Sequence, residues 1–152
     1  MDFEPYVRLL LTRYEGVCIA DRLVVVTDGD PAAPGDRVEA LNGLGVVLDS
    51  TGVLTVKHAS ITLEASLMEA GNDACLRAAF LEQRPTLEAD WVTQVERVPA
   101  AERPIAVVEL IATKRLRKGD LAQAIAAWSS LPLNELAVPQ YLRETIEAVG
   151  AP

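Results

Sequence analysis

Two cysteines and one histidine are all that this 152-residue chain has of the usual soft metal ligands. Cys18 and Cys75 lie far apart, with no Cys-x-x-Cys, which excludes a disulfide scaffold and a thiolate zinc site. Reduced thiols and a cytoplasmic location are the expectation. A single imidazole, His58, excludes a poly-histidine metal cluster, and its place at the end of an apolar run suits a surface histidine. No glycine-rich phosphate loop is present, so nucleotide binding by this chain is not expected. Every apolar run is interrupted by a charge before it reaches the ~20 residues that span a bilayer, so no membrane partner is expected. The opening Met1-Asp2-Phe3-Glu4-Pro5 carries acid where a secretory leader carries base. Basic residues are also scarce: 14 Lys and Arg against 22 Asp and Glu give a net charge of -8, which opposes general nucleic-acid binding. The exception is a strip in which Lys114, Arg115, Arg117 and Lys118 fall within five positions.

What remains is the composition of a globular chain, 50% hydrophobic and 24% charged, long enough for one ordinary domain. Residues 2–15 read as an amphipathic helix with Asp2 as N-cap and Gly16 as stop. Arg22–Thr27 is a β-branched run suited to a strand covered on both faces, and it ends in the loop Asp28–Gly35. A helix is expected over 36–49, against the disfavour of Gly43 and Gly45. Val53–Lys57 is the second strand. Helices then follow over 63–70, 73–83, 87–97, 104–118, 121–130 and 138–149, divided by proline and glycine. The stripes Leu121, Ile125, Trp128 and Leu142, Ile146, Val149 are expected to face the core. The order β-α-β followed by helices predicts an α/β fold with a helical C-terminal extension. Two parallel strands make a small sheet, which calls for a further strand or a larger assembly.

Three groups of residues could carry chemistry. Thr27-Asp28-Gly29-Asp30 stands at the carboxyl end of a buried strand, where open α/β sheets bind ligands. Asp28 and Asp30 can both reach a hard divalent cation, and the same four residues can equally form a plain turn. Glu64, in Thr62-Leu63-Glu64 after the second strand, would emerge at the same sheet edge. By local pattern it is a first-turn acid favouring a helix dipole. Lys118, before Gly119, reads locally as the last residue of a helix with Asp120 capping the next. Its functional alternative is a cation stabilising charge on a phosphate.

Taken together, Ile19-Ala-Asp-Arg-Leu-Val-Val-Val-Thr-Asp-Gly-Asp-Pro31, Thr62-Leu-Glu64, Leu116-Arg-Lys-Gly-Asp-Leu-Ala-Gln-Ala124 and Val138-Pro-Gln-Tyr-Leu-Arg143 resemble the TOPRIM part of the overcoming-lysogenization-defect (OLD) family of ATP-dependent endonucleases. The resemblance spans nearly the whole chain. It implies a partial TOPRIM, Rossmann-like parallel sheet, with a truncated core over 1–98 and a helical extension over 99–152. It implies Mg²⁺ or Mn²⁺ held by Asp28, Asp30 and Glu64, catalytic roles for Glu64 and Lys118, and supporting oxygens from Thr27 and Thr62. DNA is the implied partner, with Lys114, Arg115 and Arg117 near its phosphates, and the chemistry is two-metal phosphodiester hydrolysis.

The likeness is incomplete. TOPRIM sites also use a glutamate in a Glu-Gly motif on an earlier strand. Tyr14-Glu15-Gly16 imitates it, but Glu15 follows a helical pattern and lies too close to Asp28 for a parallel crossover. The expectation is therefore a C-terminal portion completed by an upstream Glu-containing segment and an ATPase, in the same or a partner chain. Two other readings compete. One is an inactive remnant serving as an interaction module or homodimer through its sheet edge. The other is a haloacid-dehalogenase-type phosphatase, for which the later paired-acid motif is missing.

Overall fold

The computed structural model describes residues 3–29, 36–50 and 52–150. The chain is mixed α/β and divides into two compact units, one running to Ile61 and resuming at Gln140, the other Thr62–Pro139. Among the described residues no helix is long and apolar enough to cross a membrane.

The first unit is built on two strands, β1 (Leu23–Thr27) and β2 (Leu54–His58). They pair in parallel, Leu23 opposite Leu54 through Thr27 opposite His58. Parallel pairing requires a crossover, which α2 (Asp36–Val47) supplies. Side chains alternate across a strand, so Leu23, Val25 and Val56 join one face. There they meet Val7 and Leu11 of α1 (Glu4–Leu11) and Leu41 and Leu44 of α2 in one apolar cluster. The other face carries Lys57, which forms an ion pair with Glu144 of α8 (Gln140–Gly150) at 2.6 Å. Arg22 donates to the Ala148 carbonyl at 2.8 Å, fixing the far end of the same helix.

Two expectations for this unit need correction. The first helix ends at Leu11 and not at residue 15. Thr12 is extended, and Glu15 (φ 52) and Gly16 (φ 83) form a tight reverse turn between Tyr14 and Val17, which bridge in antiparallel fashion. Glu15 thus belongs neither to a helix nor to a parallel strand; the expected cap Asp2 lies outside the described residues. In α8, Ile146 and Val149 are exposed, not core. The helix turns Tyr141, Glu144, Thr145 and Ala148 inward instead, because polar anchors at Lys57 and Arg22 set its rotation.

The second unit is all-helical: α3 (Leu63–Glu69), α4 (Asp73–Gln83), α5 (Glu88–Trp91), α6 (Arg103–Thr113) and α7 (Lys118–Ser129), with short 3₁₀ turns at Pro85–Leu87 and Ala100–Glu102. Trp91 and Phe80, both fully buried, pack with rings tilted by 45° and centroids 5.4 Å apart, and centre a core completed by Leu76, Val95, Val107, Leu110 and Leu121. The single helix expected over 87–97 is instead α5 followed by a π-helical turn, Val92–Glu96, in which the Arg97 amide reaches back to the Val92 carbonyl. Leu121 and Ile125 are buried as expected, with Trp128 packed against them.

Helix ends show why boundaries were misread. At α3, α2 and α6 the two amides after the C-cap return to the carbonyls of the last turn, the paired bonding of a Schellman cap. The left-handed residue is Gly71 at α3, but Asp49 (φ 50) at α2 and Arg115 (φ 52) at α6. Buried Leu116 anchors the latter cap. Without a glycine signal, the sequence places the end of α6 at Gly119, several residues late.

The Lys57–Glu144 pair makes stability depend on pH. Its hydrogen bond to Lys57, then that to Gln140, holds the Glu144 carboxyl below the usual range. A depressed carboxyl stabilises above its unfolded pKa of ~4.3, and the contribution is lost as pH falls through the lower folded value. Urea unfolding of the parent and of Glu144→Gln should therefore give different midpoints at pH 7 that converge as pH drops below about 4. A gap unchanged down to pH 2.5 would contradict this account.

Candidate functional site

The carboxyl edge of the sheet is set by local packing. Thr27, the last residue of β1, is buried; its carbonyl accepts from the Ala59 amide at 3.1 Å, continuing the ladder one step. Gly29 then passes so close to the segment after β2 that a Cβ there would lie 2.4 Å from the Ser60 carbonyl oxygen and 2.6 Å from that of Ala59. Only glycine fits. This approach carries Asp28 into solvent at the strand end, as the motif predicts. Asp30 lies outside the described residues. His58 sits opposite Thr27, exposed, with Nδ1 at 2.9 Å from the Ala59 carbonyl.

Glu64 belongs to the second unit, Asp28 to the first. Thr62 is the N-cap of α3, and its hydroxyl accepts from the Ala65 amide at 3.4 Å, which places Glu64 in the first turn. The local pattern is therefore right about the dipole, yet Glu64 is no ordinary surface acid. Only 8% of its surface is exposed, and its Oε2 stands 3.6 Å from Nζ of Lys118.

Lys118 is placed differently from the sequence expectation. It opens α7 rather than closing α6, with Arg117 as N-cap and Asp120 inside the first turn. A cation at a helix N-terminus opposes the helix dipole. The Glu64 carboxylate offsets that repulsion, and Lys118 in turn neutralises an otherwise isolated buried charge. The Schellman cap at Arg115 makes this geometry, since it turns the chain so that Lys118 begins a helix facing the N-terminus of α3.

The rest of the basic strip is partly committed. Lys114 forms an ion pair with Asp90 at 2.6 Å, three-quarters buried. Arg117 is exposed and lies 3.9 Å from Asp120, and Arg115 is exposed in the left-handed conformation. The two threonines are committed too. Besides the Thr62 cap, the Thr27 hydroxyl donates to the Asp28 carbonyl at 3.3 Å and accepts from Arg37 at 3.1 Å. Arg37, in the first turn of α2, belongs to no motif in the sequence, and it lies ten positions from Thr27, beyond the reach of a local pattern. Cys75 is fully buried, and burial pushes its thiol pKa up, which makes it an inert packing residue.

Asp28 in the first unit and Glu64 in the second each offer hard carboxylate oxygens, the donor type that suits Mg²⁺ or Mn²⁺. Among the described residues, however, no three His, Cys, Asp or Glu groups converge. The arrangement formed within one unit is a buried carboxylate facing a more exposed ammonium 3.6 Å away.

Lys118→Met should lower stability by no more than ~1 kcal/mol, because the lysine is 60% exposed and solvent screens the pair. A double-mutant cycle with Glu64→Gln, followed by urea unfolding, measures the coupling. A loss above about 3 kcal/mol would mean that Lys118 is a structural residue of the core.

Comparison with protein-family models, with curated proteins and with solved structures gives no match to this chain.

Proposed function

We propose that this chain is a metal-dependent DNA endonuclease module of the TOPRIM type, resembling the C-terminal portion of the OLD-family nucleases. The observation that carries the reading is the Glu64–Lys118 pair. Two residues chosen from separate sequence blocks as the acid and the cation of a phosphodiester-hydrolysing site stand 3.6 Å apart, one of them buried. A carboxylate of this kind supplies a metal ligand, and a neighbouring ammonium stabilises charge developing on the phosphate. Asp28, exposed beyond β1, and Asp30 supply the remaining ligands in this reading. Mg²⁺ or Mn²⁺ would activate the attacking water and stabilise the leaving oxygen. The module works in the cytoplasm on DNA. An upstream Glu-containing segment and an ATPase, in the same or another chain, complete it.

The chain's own residues have distinct tasks. Thr62 holds α3 so that Glu64 points at Lys118. Lys118 stands 3.6 Å from the Glu64 carboxylate and, in this reading, would lend its charge to a phosphate bound there. Gly29 lets the backbone just beyond Asp28 pass close to the Ser60 and Ala59 carbonyls.

A second reading, an interaction module or homodimer, has one observation in its favour. Tyr14, Val17 and Ile19 are each more than 70% exposed around the tight turn before β1. A concentration-dependent dimer in sedimentation, abolished by Tyr14→Ser with Val17→Ser, would support it.

The nuclease reading is tested by plasmid nicking with Mn²⁺ or Mg²⁺, with the chain supplied with its ATPase-containing partner segment. Asp28→Ala, Glu64→Gln and Lys118→Met should each lower the rate by about 10²-fold or more while leaving the fold intact. Metal-dependent cutting that survives all three substitutions would overturn it, as would its absence with the upstream segment present.

A further inference from the structure

We infer that Arg37 is the phosphate anchor at the carboxyl edge of the sheet, recognising an oxyanion of a phosphodiester and held in position for it by Thr27. The inference rests on the nuclease reading for its substrate class and adds a residue that no motif supplied. Arg37 is exposed and stands in the first turn of α2. Its NH1 donates at 3.1 Å to the hydroxyl of Thr27, a residue only 7% exposed. That hydroxyl is itself fixed, because it donates to the Asp28 carbonyl. Among the described residues no carboxylate forms an ion pair with Arg37, whereas Lys57, Arg77, Arg103, Lys114 and Lys118 all have one.

Three physical points follow. A guanidinium carries five donors in a rigid fork, so one bond to a neutral hydroxyl orients the group and leaves the other donors and the full charge available. Open α/β sheets take their ligands at this edge. Here the neighbouring exposed side chain is Asp28, whose negative charge would repel a phosphate unless a fixed cation stands alongside. The strip at residues 114–118 is less suited to this work, with Lys114 tied to Asp90 and Lys118 to Glu64. Arg37 is thus a positioning residue. It binds and orients the backbone beside Asp28 and moves no proton.

The test is metal-free binding of a fluorescein-labelled 20-nucleotide DNA, single-stranded and duplex, followed by anisotropy in EDTA across a salt series. Arg37→Ala should weaken binding about tenfold at low salt and reduce the slope of log K against log salt by about one, the loss of one phosphate contact. Arg37→Lys should recover the slope but only part of the affinity, because it restores charge without the fork. Thr27→Val, nearly isosteric, should weaken binding two- to threefold with the slope unchanged, about the effect of losing one orienting hydrogen bond. Arg84→Ala, an exposed arginine of the second unit, is the comparison and should leave binding unaltered. Thermal unfolding of each variant separates binding from folding. An Arg37→Ala variant that binds like the parent, or loses no more than Arg84→Ala, overturns the inference, as does a parent chain that binds neither DNA. An Arg37 effect without any metal-dependent cutting would sink the nuclease reading alone. Cutting that needs Asp28 but ignores Arg37 would sink this inference alone.

Discussion

Parallel pairing of two short strands is the constraint from which the first unit follows. Strands that run the same way cannot be joined by a tight turn, so a helix must cross between them, and α2 does so. Strands so apolar must also be covered on both faces. One face is met by α1 and α2 through leucine and valine. The other is met by α8, which returns from the far end of the sequence and is held by Lys57–Glu144 and Arg22–Ala148. Parallel direction also brings both strand ends out at one edge. Thr27, Asp28 and Gly29 therefore lie alongside His58, Ala59 and Ser60.

The second unit solves a different problem, which is to hold polar groups inside a helical core. Asn72 does this at the α3–α4 corner. Its amide nitrogen donates to the Leu67 and Ala137 carbonyls, and its oxygen accepts from the Ala137 amide. The irregular segment before Pro139 is thereby tied to the helices with the buried amide fully used. Glu64 is the harder case, since a buried carboxylate is costly unless a cation answers it. The answer comes from Lys118 at a helix start, where the dipole would otherwise repel it. Each placement eases the other, and solvent around the exposed lysine keeps the coupling small.

Much of the architecture was legible in the sequence because the relevant signals are local. The Val-rich runs marked both strands to within a residue, and Asn72–Asp73 with Arg84–Pro85 bounded α4 at its observed limits. The Thr62 hydroxyl capped α3 where a helix was expected. The errors have separate physical causes. Gly119 marks a helix end in the sequence, but α6 already closes on Arg115 in the left-handed conformation. The π-turn after Trp91 escaped notice because an extra residue in one turn leaves no periodic trace over so short a span. Exposure of Ile146 and Val149 escaped because the rotation of α8 is set by cations on the sheet, not by its own apolar stripe.

Residue order alone thus settled most element types, the α/β class and the strand-end position of Asp28, since each depends on neighbours within a few residues. Tertiary structure decided which charges meet. That Glu64 is buried, that Lys118 opens a helix and faces it, that Lys114 is spent on Asp90, and that Arg37 leans on the Thr27 hydroxyl all depend on segments brought together by packing. Electrostatic partnership acts through space at a few ångströms, and sequence distance carries almost no information about it.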